Sequence, residues 1–165
     1  MADVASVTTS AGKERPCNCN ALLKASRRIS QLYDTALSPC GLTANQRSIL
    51  AEIRASPSIR VGKLAGVLIK DPVAFARALK PLERDGLIAV RVDPTDRHQR
   101  LIALTDTGEA RLREADALWK KAQRCFEEAF DKMESPDLQR ALDVLASNGI
   151  FYAIHRTLRA EPGQR

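Results

Sequence analysis

Apolar residues recur every three or four positions over most of this chain, which is the spacing of amphipathic helices. Between Cys19 and Leu37 this spacing predicts a first helix, and Pro39 and Gly41 predict its end. Thr43 is followed three residues later by a glutamine, which is the pattern of a capping box and predicts the start of a second helix.

Two shorter helical patterns follow, over about 61–68 and 72–84. Asp71 is expected to cap the start of the second pattern, with a proline at its first helical position, and Gly86 is expected to end it in the left-handed conformation. Two short helices joined by a tight turn are typical of a helix-turn-helix, whose second helix lies in the major groove of DNA.

A charged hairpin is predicted directly after these helices. Ile88–Val92 and Leu101–Thr105 are rich in valine, isoleucine and leucine, and eight polar residues, Asp93–Arg100, separate them. This pattern predicts two strands joined by a long loop. Because an isolated hairpin is barely stable in water, neighbouring helices must hold it. A hairpin in this position is expected to act as a wing that reaches the minor groove.

A longer helical pattern follows Thr105, and its apolar positions from Leu112 to Met133 alternate in steps of three and four. That spacing predicts a heptad-like seam. Ser135 and the proline after it predict the start of one last helix, which runs through Leu158. A small winged unit cannot bury apolar faces of this extent, so the pattern predicts a homodimer.

Lysine and arginine outnumber aspartate and glutamate by 26 to 20, which gives a net charge of +6. This balance suggests a polyanionic partner such as nucleic acid, or an acidic membrane surface. No apolar run approaches the roughly 18 residues of a membrane span, and residues 1–16 lack the apolar segment of a secretory signal. We therefore expect a cytoplasmic protein without a membrane partner, whose cysteines are thiols.

Polar and cationic residues in the second helix, the fourth helix and the hairpin are expected to contact double-stranded DNA: Asn45, Arg47, Arg77, Lys80, Arg97, His98 and Arg100. Contact is favoured for Arg77 and Arg97, which lie in the reading helix and the wing. For Lys80 and Arg100, an ordinary solvated charge is an equal alternative. At the second helix, phosphate would bind the helix N-terminus, and a merely polar first turn is the alternative.

Four segments resemble the MarR (multiple-antibiotic-resistance regulator) family: LKPLERDGLI, DPTDRHQR and LTDTG, with GLTANQRSIL earlier in the chain. The resemblance covers residues from about 19 to 158. It implies a winged-helix dimer that binds a pseudo-palindromic operator, usually as a repressor. It also implies that the first, fifth and sixth helices form the dimer interface, and that a ligand or an oxidant releases the DNA.

The expected fold is therefore mainly α with a small β-hairpin wing, a winged helix-turn-helix with long N- and C-terminal dimerisation helices. Residues 1–16 are expected to form a mobile tail, and 17–40 and 106–160 to form the dimerisation helices. The winged helix-turn-helix DNA-binding domain is expected at 41–105.

The chain departs from the family pattern in two places. The first turn of the reading helix has Pro72–Ala76 where the family usually has serine and threonine. Base readout is therefore expected from Arg77, with contact to thymine methyl groups from Val73 or Ala74. In the wing, His98 stands where the family usually has an arginine, and Arg97 beside it is expected to enter the minor groove instead.

The inducing signal has two candidate sites. An apolar or aromatic small molecule would bind in a cleft lined by Ile29, Tyr33 and Trp119. Alternatively, Cys19 resembles the reactive cysteine that opens the first helix in the family's organic-hydroperoxide sensors, and Tyr33 matches a tyrosine of that group. The second tyrosine of those sensors is missing from TANQRS, which favours the small ligand. Cys40 and Cys125 are expected to be buried.

An enzyme and a helical interaction module are the competing functions. Cys17 and Cys19 lack the second cysteine pair of a structural zinc site, and His98 and His155 lie far apart in the sequence. The sequence also has no phosphate-binding loop and no His-Asp arrangement that would activate a thiol. We therefore expect no metal, no cofactor and no enzymatic activity.

Overall fold

The computed structural model describes residues 17–130 and 135–160. The elements are α1 (Asn18–Leu37), α2 (Ala44–Ala55), β1 (Ile59–Arg60), α3 (Val61–Val67), α4 (Pro72–Arg84), β2 (Ile88–Asp93), β3 (Asp96–Leu104), α5 (Asp106–Ala129), α6 (Ser135–Ala146) and α7 (Asn148–Ala160), with a 3-10 turn at Ser38–Cys40. The chain divides between Asp116 and Ala117 into two compact units. The mobile tail predicted for residues 1–16 and the Met133 end of the predicted seam lie outside the described residues.

The expected fold class is confirmed: the chain is mainly helical and carries a small antiparallel sheet as its wing. None of the described helices is long and apolar enough to cross a membrane.

The core of the first unit collects apolar side chains from α1 to α5 and from the sheet. The fully buried ones include Leu37, Ile49, Leu50, Ile53, Leu64, Phe75, Leu82, Ile102 and Leu112. Burial of each such side chain stabilises the fold by roughly 1.5–3 kcal/mol. Leu112 and Ala115, which the heptad pattern assigned to a dimer seam, are fully buried within this single chain and therefore belong to its own core.

The helix ends expected from the sequence are confirmed. The backbone N–H of Gln46 donates to Thr43 Oγ1 at 3.2 Å, and the N–H of Thr43 donates to Gln46 Oε1 at 2.9 Å, which completes the capping box. Asp71 Oδ1 accepts from the N–H groups of Val73 and Ala74 at 3.0 and 2.9 Å. These caps begin α2 and α4, the two helices expected to approach DNA.

The sheet differs from the predicted hairpin in two ways. Its strand order is β1-β3-β2, and the two-residue β1, which the sequence did not predict, pairs Ile59 with Ile102. The long loop was also wrong, because β2 runs to Asp93 and β3 begins at Asp96. Polar residues extend a hairpin as well as apolar ones do where both faces meet solvent, because the backbone makes the pairing hydrogen bonds.

The start of α5 packs against Gly86 and Leu87, the two residues that lie just before β2. Thr105 Oγ1 accepts from the N–H of Gly108 at 3.0 Å and donates to the carbonyl of Gly86 at 2.6 Å. A Cβ at Gly108 would lie 1.9 Å from the carbonyl oxygen of Leu87, so only glycine fits this approach. These contacts explain the first threonine of LTDTG, Thr105, and its glycine, Gly108.

The single last helix predicted from the sequence is wrong, because α6 and α7 are separate. Ser147 Oγ donates to the carbonyl of Val144 at 2.8 Å and accepts from the N–H of Ile150 at 3.4 Å. The same side chain thus closes one helix and opens the next. Serine at such a position competes with helical hydrogen bonds, which accounts for the break.

Candidate nucleic-acid interface

The exposed face of α4 is apolar at its beginning and cationic beyond it. Phe75, Leu79 and Leu82 are buried, and their spacing sets the inner face of the helix. The positions opposite them are Val73, Arg77, Lys80 and Arg84, which are all exposed and which we call the outer stripe of α4. A helix with this stripe can present apolar groups and positive charge to one partner.

The tip of the wing carries exposed cationic residues. Val92 pairs with Arg100 and Asp93 with Asp96, so the register advances one residue on β2 and four on β3. Arg97 and His98 lie in the longer segment and are exposed, as is Arg100. The backbone N–H of His98 donates to Asp96 Oδ1 at 3.0 Å, which leaves the imidazole outside this local turn.

A buried aspartate anchors the base of this tip. Asp93 accepts hydrogen bonds from the hydroxyl and the N–H of Thr95 at 2.7 and 2.9 Å, and from Arg60 Nε at 2.9 Å. The Thr95 bonds above all, with Arg60 adding to them, hold the pKa of Asp93 below its usual range despite its burial. Arg60 immediately precedes α3, so this pair joins the wing to the helix-turn-helix.

Arg47, expected to bind phosphate, has a partner inside the protein. Its Nη2 lies 2.6 Å from Asp116 Oδ1, and Arg54 Nη2 lies 2.7 Å from Asp116 Oδ2. Burial raises the pKa of Asp116, but the hydrogen bonds from the two arginines outweigh this effect and lower the pKa overall. The pair joins α2 to α5, whereas Asn45 in the first turn of α2 remains exposed.

Neither Asp93–Arg60 nor the Asp116 cluster was identified from the sequence. The partners lie 33 residues apart in the first case and 62 to 69 residues apart in the second. No local pattern signals such pairs, because only the folded chain brings them together.

The residues proposed for signal sensing lie on α1 and α5. Ile29 is 37% exposed, and Tyr33, four residues later on the same face of α1, is half-buried. Trp119 on α5 is also half-buried. Cys19 is exposed in the first turn of α1, and Cys40 is buried as expected. Cys125 was expected to be buried, but it is exposed on α5.

Comparisons with known proteins agree with this geometry. The model of the MarR family matches residues 42–99, which span α2 to the wing. A search of curated protein sequences gave no match.

Among solved structures, the M. tuberculosis transcriptional regulator MosR in complex with DNA is 30% identical, covers 80% of this chain and 100% of its own, and superposes with a TM-score of 0.67. The transcriptional repressor CouR bound to a 23-mer DNA duplex is 26% identical, covers 79% and 93%, and gives 0.74. A mutant of E. coli MarR complexed with operator DNA shares the fold at 24% identity, with coverage of 78% and 93% and a TM-score of 0.72. The chain therefore belongs to the MarR family.

Proposed function

We propose that this protein is a dimeric, sequence-specific DNA-binding transcriptional regulator that represses from a pseudo-palindromic operator in double-stranded DNA. The observation that carries the proposal is the exposed outer stripe of α4 beside a wing whose tip bears Arg97 and Arg100. This is the arrangement by which winged helices place one helix in the major groove and a hairpin along the backbone. DNA in the structures of CouR and MosR supports the same partner.

The exposed cations divide into two roles in this proposal. Arg77 lies in the N-terminal half of α4, the part of a recognition helix that reaches base edges, so it contacts a base. Arg97 enters the minor groove, while Lys80, Arg100 and His98 contact the backbone. Phosphate contact at α2 rests on Asn45, since Arg47 is paired with Asp116.

Selection of duplexes from a random pool, followed by binding assays, tests this proposal. Arg77→Ala is expected to cost roughly 1–3 kcal/mol and to relax preference at one base pair. Arg97→Ala should weaken binding with little change in preference except where the minor groove is narrow. Arg113→Ala removes the same charge from an exposed position on α5 and is the matched control.

Failure to enrich any duplex would refute the DNA-binding proposal, and equal affinity for all three variants would refute the roles given to Arg77 and Arg97. Affinity should also fall steeply with salt, since phosphate contacts release counterions.

Dimerisation is supported by apolar side chains that stay exposed in the single chain. Leu22, Leu23 and Leu32 on α1 are 42–50% exposed. On α6 and α7 the exposed ones are Leu142, Val144, Leu145, Phe151, Ile154 and Leu158. Apolar surface of this kind marks a partner interface. In a dimer on DNA, the two α4 helices would lie about 34–36 Å apart, one turn of the duplex. Sedimentation equilibrium that shows a monomer at micromolar concentration would refute this part.

The release signal is proposed to be a small aromatic or apolar ligand that contacts Ile29, Tyr33 or Trp119. The exposure of Cys19 favours one alternative, oxidation to a sulfenic acid or to a disulfide across the dimer. Operator binding by the wild type and by Cys19→Ser, each with and without organic hydroperoxide, separates them. Release by peroxide in the wild type alone would replace the ligand proposal with the oxidant one.

A further inference from the structure

Ile69 has a backbone conformation that its residue type disfavours. It lies in the turn between α3 and α4 with φ of 50°, in the left-handed region where a β-branched residue is strained. Its N–H donates to the carbonyl of Gly66 at 3.1 Å, and the N–H of Lys70 donates to that of Ala65 at 2.9 Å, which together form a Schellman motif. The same motif ends α4, and there Gly86 occupies the left-handed position with φ of 68°.

Packing does not account for isoleucine at this position either, because its side chain is 71% exposed. In the described part of the chain, Ser58 is the other non-glycine residue with positive φ, and its hydroxyl accepts a hydrogen bond from Arg91. The side chain of Ile69 is thus neither favoured by the backbone nor buried in the core. A strained, exposed residue of this kind points to a function outside the fold.

The position of Ile69 indicates which partner it contacts. Ile69 lies three residues before the first residue of α4, and Val73, which is 63% exposed, is the second residue of that helix. Two exposed apolar side chains therefore come before Arg77 and Lys80 of the outer stripe, one in the turn and one in the first turn of the helix. A partner of this surface therefore offers negative charge beside small apolar groups. In the major groove of DNA, the 5-methyl group of thymine is the apolar feature among the phosphates and polar base edges.

We propose that Ile69 and Val73 form an apolar pair that reads thymine by contact with its 5-methyl group, an inference that rests on the proposed DNA-binding function. Arg77 and Lys80 supply the charge that holds the helix in the groove. The strained turn carries the first of the two reading side chains. Sequence preference would then depend on a residue that precedes the recognition helix as well as on residues within it.

The test uses duplexes that the full-length protein enriches from a random pool. Each thymine is replaced in turn by deoxyuridine, which removes the methyl group and keeps the base pair. For the wild type, we expect about a fourfold loss of affinity at one or more positions in each half-site. For Ile69→Ala and Val73→Ala, the affinity for the thymine duplex falls by a similar factor and the loss on deoxyuridine at the corresponding position disappears.

Two further variants keep strain and reading apart. Ile69→Gly should raise the melting temperature, because it relieves the left-handed isoleucine, and yet weaken binding to the thymine duplex. Ser58→Gly relieves the other positive φ at a position outside the reading helix, and it should leave the response to deoxyuridine unchanged. Wild-type binding that is salt-dependent but indifferent to every deoxyuridine, or unaltered by Ile69→Ala and Val73→Ala, would overturn the inference and leave the DNA-binding proposal intact. Absence of any enriched duplex would overturn the DNA-binding proposal itself.

Discussion

Replacement of Asp116 by asparagine tests whether the cluster on α2 and α5 holds the winged unit together. The carboxylate accepts three hydrogen bonds, from Nε and Nη2 of Arg47 at 3.1 and 2.6 Å and from Nη2 of Arg54 at 2.7 Å. An amide keeps one acceptor oxygen, loses the negative charge and turns an NH2 group toward a guanidinium. Asp116→Asn therefore leaves the guanidinium groups of Arg47 and Arg54 close to a neutral amide that accepts fewer hydrogen bonds.

The exposure of the three side chains sets the magnitude. Asp116 and Arg47 are only 16% and 19% exposed, whereas Arg54 is 39% exposed and can regain water. A hydrogen bond to a charged group contributes about 1.5–3 kcal/mol when buried, and an exposed ion pair contributes below about 1 kcal/mol. We expect the free energy of unfolding to fall by about 2 kcal/mol, or roughly 4–8 °C in melting temperature for a chain of this size.

Thermal and urea denaturation at a fixed protomer concentration would measure this loss, since dimerisation makes stability concentration-dependent. Glu114→Gln is the matched control, because it lies on the same helix, is 56% exposed and is 3.9 Å from its partner Arg111. Its effect should stay below about 0.5 kcal/mol.

The same variant gives a pH test. Because the pKa of Asp116 is lowered on folding, the ionised carboxylate contributes its full stabilisation above the unfolded-state pKa of about 4. That contribution is lost as the pH falls below this value and through the folded-state pKa. The difference between wild type and Asp116→Asn should therefore narrow below about pH 4. Two results would show that the cluster does not stabilise the fold. One is a loss of unfolding free energy for Asp116→Asn at pH 7 no larger than that of Glu114→Gln. The other is a loss that stays the same in acid.

Three other changes have defined outcomes. Gly108→Ala should cost about 3 kcal/mol or more in urea denaturation, because its Cβ would meet the Leu87 carbonyl, whereas Gly149→Ala has space and should not destabilise. Asp93→Asn should speed amide hydrogen exchange in the wing at neutral pH. Since the pKa of Asp93 is lowered, the wild-type wing should lose its protection from exchange as the pH falls below about 4. Equal exchange rates in the wings of wild type and Asp93→Asn at pH 7 would contradict this prediction. Phe151→Asp places a charge on the exposed face of α7 and should shift sedimentation toward monomer, and an unchanged dimer would exclude that face.

The sequence predicted best those features that a few neighbouring residues determine. Thr43, Asp71 and Gly86 end or begin helices through bonds within one turn, so their residue types suffice. The break at Ser147 had a local signal too, the Ser-Asn-Gly run after Ala146, but the apolar periodicity on both sides concealed it.

Features that depend on the folded chain could not be predicted in this way. The two-residue β1 exists only because β3 pairs with it, and two residues have no periodicity of their own. Leu112 has the spacing of an interface residue, yet it is buried in the core of its own chain. In the candidate site, the exposure of Arg77 and Arg97 followed from the motif order, whereas the engagement of Arg47 by Asp116 required the fold.

The attachment of the wing at two places has a mechanical consequence. β1 pairs with β3, and Arg60, the last residue of β1 before α3, donates a hydrogen bond to Asp93 at the end of β2. A displacement of the hairpin is therefore transmitted to the start of α3, so the wing and the helix-turn-helix move as one rigid unit. In the proposed dimer, a signal that releases DNA would act by changing the angle or the spacing between the two rigid units, one from each protomer. An inducer would then alter the dimer contacts that set this angle and spacing, and the internal structure of each DNA-contacting unit would stay the same.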